Sequence, residues 1–181
     1  MKRGVEKDYQ TRVIERRRRG FTVVEIMVTL AVAGILVGFA LPAFNNFLTQ
    51  RALTTDINDM ALAIAYARSE AANRGERVSV LAIDGSNGDN EWGAGYCVTL
   101  GNPADCSDPL RVFTPRAGHV LNGIDELDDE DALSFNARGL LEQAVTGEAR
   151  ITLCQADETR GRMLSVNLIG RTSVDEWECG S

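Results

Sequence analysis

A block of four arginines stands directly before a long apolar segment that carries one acidic residue near its start. After Arg16–Arg19 and Gly20, the polar or charged side chains between residues 21 and 41 are only Thr22, Glu25 and Thr29. A carboxylate inside an apolar span is costly when it has no partner, so such groups usually face a cation and serve a function. Glu25 is therefore a candidate for an intramembrane ion pair. Solvation of Glu25 by lipid headgroups is the alternative, and position alone does not decide between the two.

The residue types that enzymes need for catalysis are sparse. His119 is the only histidine, no serine or cysteine nucleophile motif adjoins it, and the sequence has no glycine-rich phosphate loop. These elements do not assemble a nucleophile, a base and an oxyanion site. We therefore expect a protein that is not an enzyme and that uses no cofactor, with His119 on the surface or in a strand.

The apolar segment has the length of a membrane span. Residues 21–41 would form a helix of roughly 30 Å at about 1.5 Å per residue, which matches the hydrocarbon core of a bilayer. A small-residue cleavage site, which would follow the apolar region of a Sec signal peptide, is not obvious here, so the helix is expected to be retained. The positive-inside rule keeps the arginines in the cytoplasm and places the chain after Pro42 across the membrane.

Charge is unevenly distributed along the chain. Residues 1–20 contain eight Lys and Arg residues against three acids, so the total of −7 leaves −12 on residues 21–181, which contain no lysine. An acidic body of this kind argues against general affinity for nucleic acid or anionic lipid.

Four cysteines lie in the part of the chain expected beyond the membrane, where thiols are oxidised. They are Cys97, Cys106, Cys154 and Cys179, and none forms a C-x-x-C pair. Three pairings are possible, and we favour Cys97 with Cys106 and Cys154 with Cys179 because neighbours in a β-meander meet most easily. In the loop-entropy description the two closures stabilise the fold by roughly 2.7 and 3.5 kcal/mol. A zinc site would need closer ligand pairs, so no metal centre is expected.

A helical pattern continues beyond the span. After Pro42, which should bend or loosen the helix, apolar residues recur at steps of three and four and so share one face. These residues are Leu53, Ile57, Met60, Ile64, Ala67 and Ala71. Residues that fall largely outside this stripe are Arg51, Asp56, Asp59 and Glu70. The pattern predicts one helix from Phe21 to about Asn73, with residues 21–42 in the membrane and residues 43–74 packed on a globular head.

After Gly75 the chain changes to short β-rich runs, most of them separated by Gly, Asn, Asp or Pro clusters. The runs are Val78–Ile83, Tyr96–Leu100, Leu110–Phe113, Leu133–Phe135, Arg150–Leu153 and Met163–Leu168. An antiparallel sheet with one face buried on the helix fits their mixed alternation. The predicted fold class is therefore α+β, with a long N-terminal helix packed on an antiparallel β-sheet head formed by residues 75–181.

Three further segments have a possible binding role. Asp84–Glu91 is rich in oxygen ligands but lacks the bidentate acid of a calcium loop at the required offset, so a hairpin loop is expected. The acidic run Asp125–Asp131 is expected to be a solvated turn, with Ca²⁺ or a basic partner as the alternative ligand. Gly34 and Gly38 form a G-x-x-x-G in the span, which permits close approach of another helix.

The N-terminal junction resembles the class III signal of type IV pilins and of the related type II secretion pseudopilins. Basic residues precede Gly20-Phe21-Thr22, then come two apolar residues, Glu25 and an unbroken apolar stretch. The resemblance implies that a prepilin peptidase cuts between Gly20 and Phe21 and N-methylates Phe21, which makes residues 1–20 a leader peptide. It also implies that Glu25 pairs with the terminal amine of a neighbouring subunit during assembly. The leader is long, and a translation start nearer Val13 is a hypothesis that N-terminal sequencing of the precursor would test.

Motifs after the span narrow the resemblance to the GspH/FimT family of the type IV pilin superfamily. Tyr66–Gly75 is similar to the ARSEA helix end of that family, and Trp92–Tyr96 is similar to its W-x-x-G-aromatic strand entry. Ser134–Gly139 and Gly170-Arg171 also have counterparts there. The resemblance implies a minor pilin that primes assembly at or near the pilus tip and serves twitching or adhesion. The partners implied are other minor pilins, the major pilin, the prepilin peptidase and the inner-membrane assembly platform.

The resemblance also implies a location and leaves a rival function open. Before assembly the protein would cross the inner membrane once, with a cytoplasmic N-terminus and a periplasmic head, and afterwards it would lie in the pilus on the cell surface. A minor pseudopilin of type II secretion, of the GspH kind, is the main alternative, although Arg68-Ser69-Glu70-Ala71 favours the pilus.

DNA capture for natural transformation is a second alternative, because some FimT-like pilins bind DNA through a basic Gly-Arg-x-Arg stretch. The matching positions, residues 170–173, read Gly-Arg-Thr-Ser and so lack the second arginine. The acids that follow are Asp175, Glu176 and Glu178. Arg160, Arg162 and Arg171 could still cluster on one sheet edge, but against the acidic background their contact with DNA would be weak and salt-sensitive.

Overall fold

The computed structural model describes residues 20–83, 90–101, 105–127, 130–142, 147–156 and 158–180. The chain divides into two units, residues 1–43 and residues 44–181. A long helix, α1 (Val23–Arg74), begins in the first unit and continues into the second. Eight strands follow it in the described part of the chain, and together these elements confirm the α+β class.

In the first unit, the described residues consist almost entirely of the apolar start of α1. This helix is the one element among the described residues that is long and apolar enough to cross a membrane. The apolar side chains at the start of this helix are exposed on every side, from Val23 at 75% to Leu41 at 57%. Exposed apolar surface of this extent is unfavourable in water, so lipid or other helices must cover it. Helical structure continues through position 42, and the bend expected at Pro42 stays a prediction.

In the second unit, α1 buries the stripe that its sequence pattern predicts. All six apolar residues of that stripe, from Leu53 to Ala71, are fully buried, and Ala63 joins them. The prediction for Asp56 was wrong, because this residue is only 5% exposed. It precedes Ile57 and lies three residues after Leu53, so the stripe is wide enough to include it. The helix ends at Arg74, where Gly75 adopts a φ of 69° and its N–H donates to the carbonyl of Ala71 at 3.0 Å.

The strands form two antiparallel sheets rather than the single sheet expected. They are β1 (Val78–Ala82), β2 (Tyr96–Leu100), β3 (Arg111–Phe113), β4 (His119–Ile124), β5 (Ala132–Phe135), β6 (Glu148–Gln155), β7 (Arg160–Asn167) and β8 (Thr172–Glu178). The first sheet has the order β3-β2-β1-β5, and the second has the order β4-β6-β7-β8. Their buried side chains join those of α1 in one hydrophobic core, in which the largest are Trp92, Tyr96 and Phe135.

Two strands, β4 and β8, were not predicted from the sequence because they lack the usual apolar alternation. In β4 the buried positions are His119, Leu121 and Gly123, so only one carries a large aliphatic side chain. A Cβ at Gly123 would overlap the backbone carbonyl of Leu127, whose 3-10 turn packs against the strand. The other strand, β8, lies at the edge of the second sheet and is largely exposed, so its sequence is acidic and polar.

Two disulfides join the pairs that the sequence favoured. Cys97 in β2 is bonded to Cys106, and Cys154 in β6 is bonded to Cys179 beyond β8, which fixes the C-terminal end to the second sheet. A Cβ on Gly161 would lie 2.5 Å from the sulfur of Cys179. Glycine at this position therefore leaves room for the disulfide to cross β7.

Tyr96 makes the stability of the head sensitive to alkaline pH. Burial raises the pKa of its hydroxyl, and the carboxylates of Asp59 and Asp56 add to the effect. A raised pKa means that the folded state holds the phenol proton more tightly than the unfolded state does. The full stability of the head is therefore present below about pH 10, and part of it is lost as the pH rises further. We expect the free energy of unfolding to fall above about pH 10 in the wild type and to fall less in Tyr96→Phe. Urea denaturation of both proteins at several pH values measures this change in the free energy of unfolding.

The matched control for this prediction is Tyr66→Phe, since Tyr66 is only partly buried. Residues 21–181 contain no lysine, so few other groups titrate in the same range. An unchanged alkaline loss of stability in Tyr96→Phe would contradict the assignment to Tyr96.

Candidate functional site

The start of α1 is capped by the threonine that precedes it. The N–H of Glu25 donates to Oγ1 of Thr22 at 3.2 Å, and the N–H of Ile26 donates to the carbonyl of Thr22 at the same distance. This places Thr22 at the N-cap and Glu25 at the third helical position, the spacing of a capping box. Sequence reasoning missed this role of Thr22, although the pattern Thr-x-x-Glu was visible.

Glu25 combines a favourable local position with an unsatisfied charge. It lies in the first turn of α1, where the helix dipole stabilises a negative charge. Its side chain is exposed and forms no ion pair with any residue that the structure describes. In hydrocarbon such a carboxylate would need a cation from beyond the described residues. Gly20 and Phe21 precede the helix and are both exposed, so the peptide bond between them is open to a protease.

The glycine pair of the span is also open to a partner. A Cβ on Gly34 or Gly38 would meet no atom within 4 Å. The two residues are four positions apart and therefore lie on one face of α1. This face allows the backbone of another helix to approach closely.

The head contains a buried ionic cluster that connects α1 to the segment before β4. Asp56 Oδ2 accepts from His119 Nδ1 at 2.6 Å and from the backbone N–H of Arg116 at 2.8 Å. Asp56 Oδ1 accepts from Arg116 Nη1 at 2.7 Å. His119 does lie in a strand, as expected, but its side chain is only 3% exposed. A ring so enclosed has no access to a substrate, so the cluster is structural.

The three arginines considered for DNA contact do not come together. Arg160 begins β7 opposite Glu178, and the nearby Arg162 pairs with Glu176 at 3.5 Å. Arg171 lies at the far end of the same strand pair, next to Asn167. Seven residues of strand separate Arg160 from Asn167, which corresponds to about 23 Å. The expectation of one basic sheet edge was therefore wrong.

The acidic segments offer no metal site in the part of the chain that is described. Residues 84–89 of the first predicted loop, and residues 128 and 129 of the second, lie outside the described residues. In the remainder of the second, Asp125 adopts a φ of 59° and pairs with Arg150 at 2.9 Å, while Leu127 is buried. Among the described residues no group of three His, Cys, Asp or Glu side chains could hold a metal ion.

Comparison with known proteins assigns the family. Residues 56–170 match the family described as type II transport protein GspH, and residues 16–41 match the prokaryotic N-terminal methylation motif. The first match covers more than half of the chain. This chain belongs to the GspH family. GspH-family proteins are structural proteins and belong to the type IV pilin superfamily. Membership implies association with other pilins and with pilus or secretion machinery.

Individual relatives agree with this assignment. The crystal structure of the type IV minor pilin FimU of Pseudomonas aeruginosa is 25% identical, with 71% of this chain and 92% of that chain covered and a TM-score of 0.57. The type IV major fimbrial protein FimA of Dichelobacter nodosus is 34% identical over 41 residues, which are 23% of this chain and 26% of FimA. Fimbrial protein Q of Moraxella bovis is 34% identical over 44 residues, 24% of this chain and 28% of that protein. The chain thus spans about a quarter of the length of these two fimbrial proteins.

Proposed function

We propose that this GspH-family protein is a minor type IV pilin that is cleaved after Gly20, N-methylated on Phe21 and incorporated into a pilus. The observation that carries the proposal is the capped, exposed apolar start of α1, in whose first turn the carboxylate of Glu25 has no ion-pair partner among the described residues. The match of residues 16–41 to the N-terminal methylation motif supports cleavage at this position. The pilin would prime assembly at or near the tip.

The chain divides by role into four segments. Residues 1–20 are the leader, and residues 21–42, which include the start of α1, form the segment that crosses the inner membrane. Residues 43–74 form the part of α1 that packs on the head, and residues 75–181 form the disulfide-bonded head in the periplasm. Charge supports this orientation, because Arg16–Arg19 lie at the end that stays in the cytoplasm.

Assembly would be driven by covering the apolar surface of α1. Cleavage releases the basic leader and creates a charged amine at Phe21. As an assembly motor extracts the subunit from the membrane, helices pack against one another through their apolar faces, with Gly34 and Gly38 allowing close approach. The carboxylate of Glu25 receives the Phe21 amine of a neighbouring subunit, and the pair sets the axial position of the new subunit.

A minor pseudopilin of type II secretion is the second candidate, and the family description itself favours it. The likeness to the minor pilin FimU over 92% of its chain, and the two fimbrial relatives, support the pilus. Deletion of the gene distinguishes the two functions. The pilus function predicts loss of surface pili and twitching with normal protein secretion, whereas loss of secretion with normal pili would support the pseudopilin.

A further inference from the structure

Three separate segments of the head meet at the side chain of Arg68, near the end of α1. A Cβ on Gly170, in the turn between β7 and β8, would lie 2.7 Å from Cδ of Arg68. A Cβ on Gly139, in the turn after β5, would lie 3.3 Å from Cγ of Arg68. Both glycines have positive φ, 70° and 72°. The two turns therefore need glycine for their backbone conformation and for the passage of the arginine stem between them.

Beside this stem is a cavity of about 300 Å³ that contains a second arginine. We call it the Arg68 pocket, and its lining residues are Ala65, Arg68, Ser69, Ala72, Arg138 and Gly139. Both arginine side chains are exposed, and neither forms an ion pair within the described part of the chain. Two alanines supply small apolar walls, so the guanidinium groups are the recognition elements.

Arg68 and Arg138 lack the ion pairs that five of the nine other arginines after residue 20 make with acids among the described residues. Five other arginines pair with acids: Arg74 with Glu70, Arg77 with Glu142, Arg116 with Asp56, Arg150 with Asp125 and Arg162 with Glu176. Acids exceed arginines by 23 to 11 after residue 20. On such a surface a pocket whose two arginines have no acidic partner among the described residues is a local positive site in a negative field.

We propose that the Arg68 pocket binds a carboxylate side chain of a neighbouring pilin subunit in the filament, an inference that rests on the proposed function. The planar guanidinium fork matches a carboxylate and donates two parallel hydrogen bonds to it. The acidic body repels a long polyanion such as DNA, whereas one carboxylate on a protein partner experiences mainly the nearby arginines. The pocket thus adds a contact between heads to the contact between helices that Glu25 makes.

The first test reverses or removes charge in the full-length protein and measures its recovery in sheared pili. We expect Arg138→Glu to lower recovery at least about tenfold, because it places like charge against the incoming acid. Arg68→Met keeps the stem between the two glycines and should lower recovery about fivefold, while Arg68→Lys, which keeps the charge but not the guanidinium fork, should restore only part of it. Arg160→Glu, at the far end of β7, is the matched control and should leave recovery within about twofold of the wild type.

The second test identifies the partner. A photoreactive amino acid at Ser69, which lines the pocket and is exposed, should cross-link in intact pili to a pilin peptide that contains Asp or Glu. Changing that acid to arginine should then restore the recovery of Arg138→Glu. The proposal that the pocket binds a carboxylate would be overturned by cross-links only to DNA or to peptides without an acid. Normal recovery of Arg138→Glu would also overturn it. Absence of the wild type from sheared pili would instead overturn the proposed function and the pocket together.

Discussion

Replacing Glu25 by alanine is expected to leave cleavage after Gly20 intact and to lower recovery of the protein in sheared pili at least about tenfold. The capping hydrogen bond at this position uses the backbone N–H of Glu25 and Oγ1 of Thr22, so the start of α1 survives the change. What is lost is the only acid in residues 21–41, and with it the proposed partner for the Phe21 amine of the next subunit. An unpaired charge in that environment costs a few kcal/mol, and each 1.4 kcal/mol is a factor of about ten.

The matched control for Glu25 is Thr29→Ala, one turn further along the helix. The hydroxyl of Thr29 donates to the carbonyl of Ile26 at 2.8 Å and is therefore satisfied within α1. Its removal should leave both cleavage and recovery near the wild-type level. Glu25→Gln separates charge from shape, since it retains the size of the side chain but not the ion pair. Normal recovery of Glu25→Ala in sheared pili would contradict the role of the ion pair.

Replacing Asp56 by alanine is expected to lower the free energy of unfolding of the head by about 3 kcal/mol. The side chains of Asp56 and His119 are 6% and 3% exposed, so His119 would lose its partner without gaining contact with water. Arg116 is about half exposed and can be solvated, which limits the loss at that group. Because small domains are stable by only about 5–15 kcal/mol, a change of this size is a large fraction of the total.

Urea denaturation of the full-length protein in detergent micelles, followed by the fluorescence of the buried Trp92, measures this loss. Asp59→Ala is the matched control, because Asp59 is exposed on the same turn of the helix and forms no ion pair among the described residues. We expect it to change the free energy of unfolding by no more than about 0.5 kcal/mol. Equal losses in the two variants would show that the Asp56 cluster contributes no specific stability.

The elements with strong periodicity could be predicted from the sequence. The apolar stripe from Leu53 to Ala71 identified the buried face of α1, and Gly75 identified its end. The strands of the first sheet carry apolar residues with turn residues between them, and all four were found. By contrast, β4 buries a histidine and a glycine, and β8 is an acidic edge strand, so neither had the alternation on which prediction depends.

Apart from the disulfides, side-chain contacts between segments far apart in the chain could not be predicted from the sequence. The pairing of Asp56 with His119 joins residues 63 positions apart, and the sequence pattern had placed Asp56 outside the buried stripe. Likewise, the motifs that contain Arg68, Gly139 and Gly170 were recognised one by one, but only the fold brings them to one side chain. The features of the N-terminal junction, by contrast, are local in the sequence. The basic block, Gly20, Phe21 and Glu25 lie within ten consecutive residues, and the apolar segment continues directly after them.

The most direct test of the proposed function is the mass of the N-terminal peptide of this protein recovered from sheared pili. Mass spectrometry should find a peptide that begins at Phe21 and carries one methyl group on its amine. That result would place the protein in the filament and establish cleavage after Gly20 in one measurement. An uncleaved precursor confined to the membrane, with no peptide of the protein in the sheared pili, would contradict a role as a processed minor pilin.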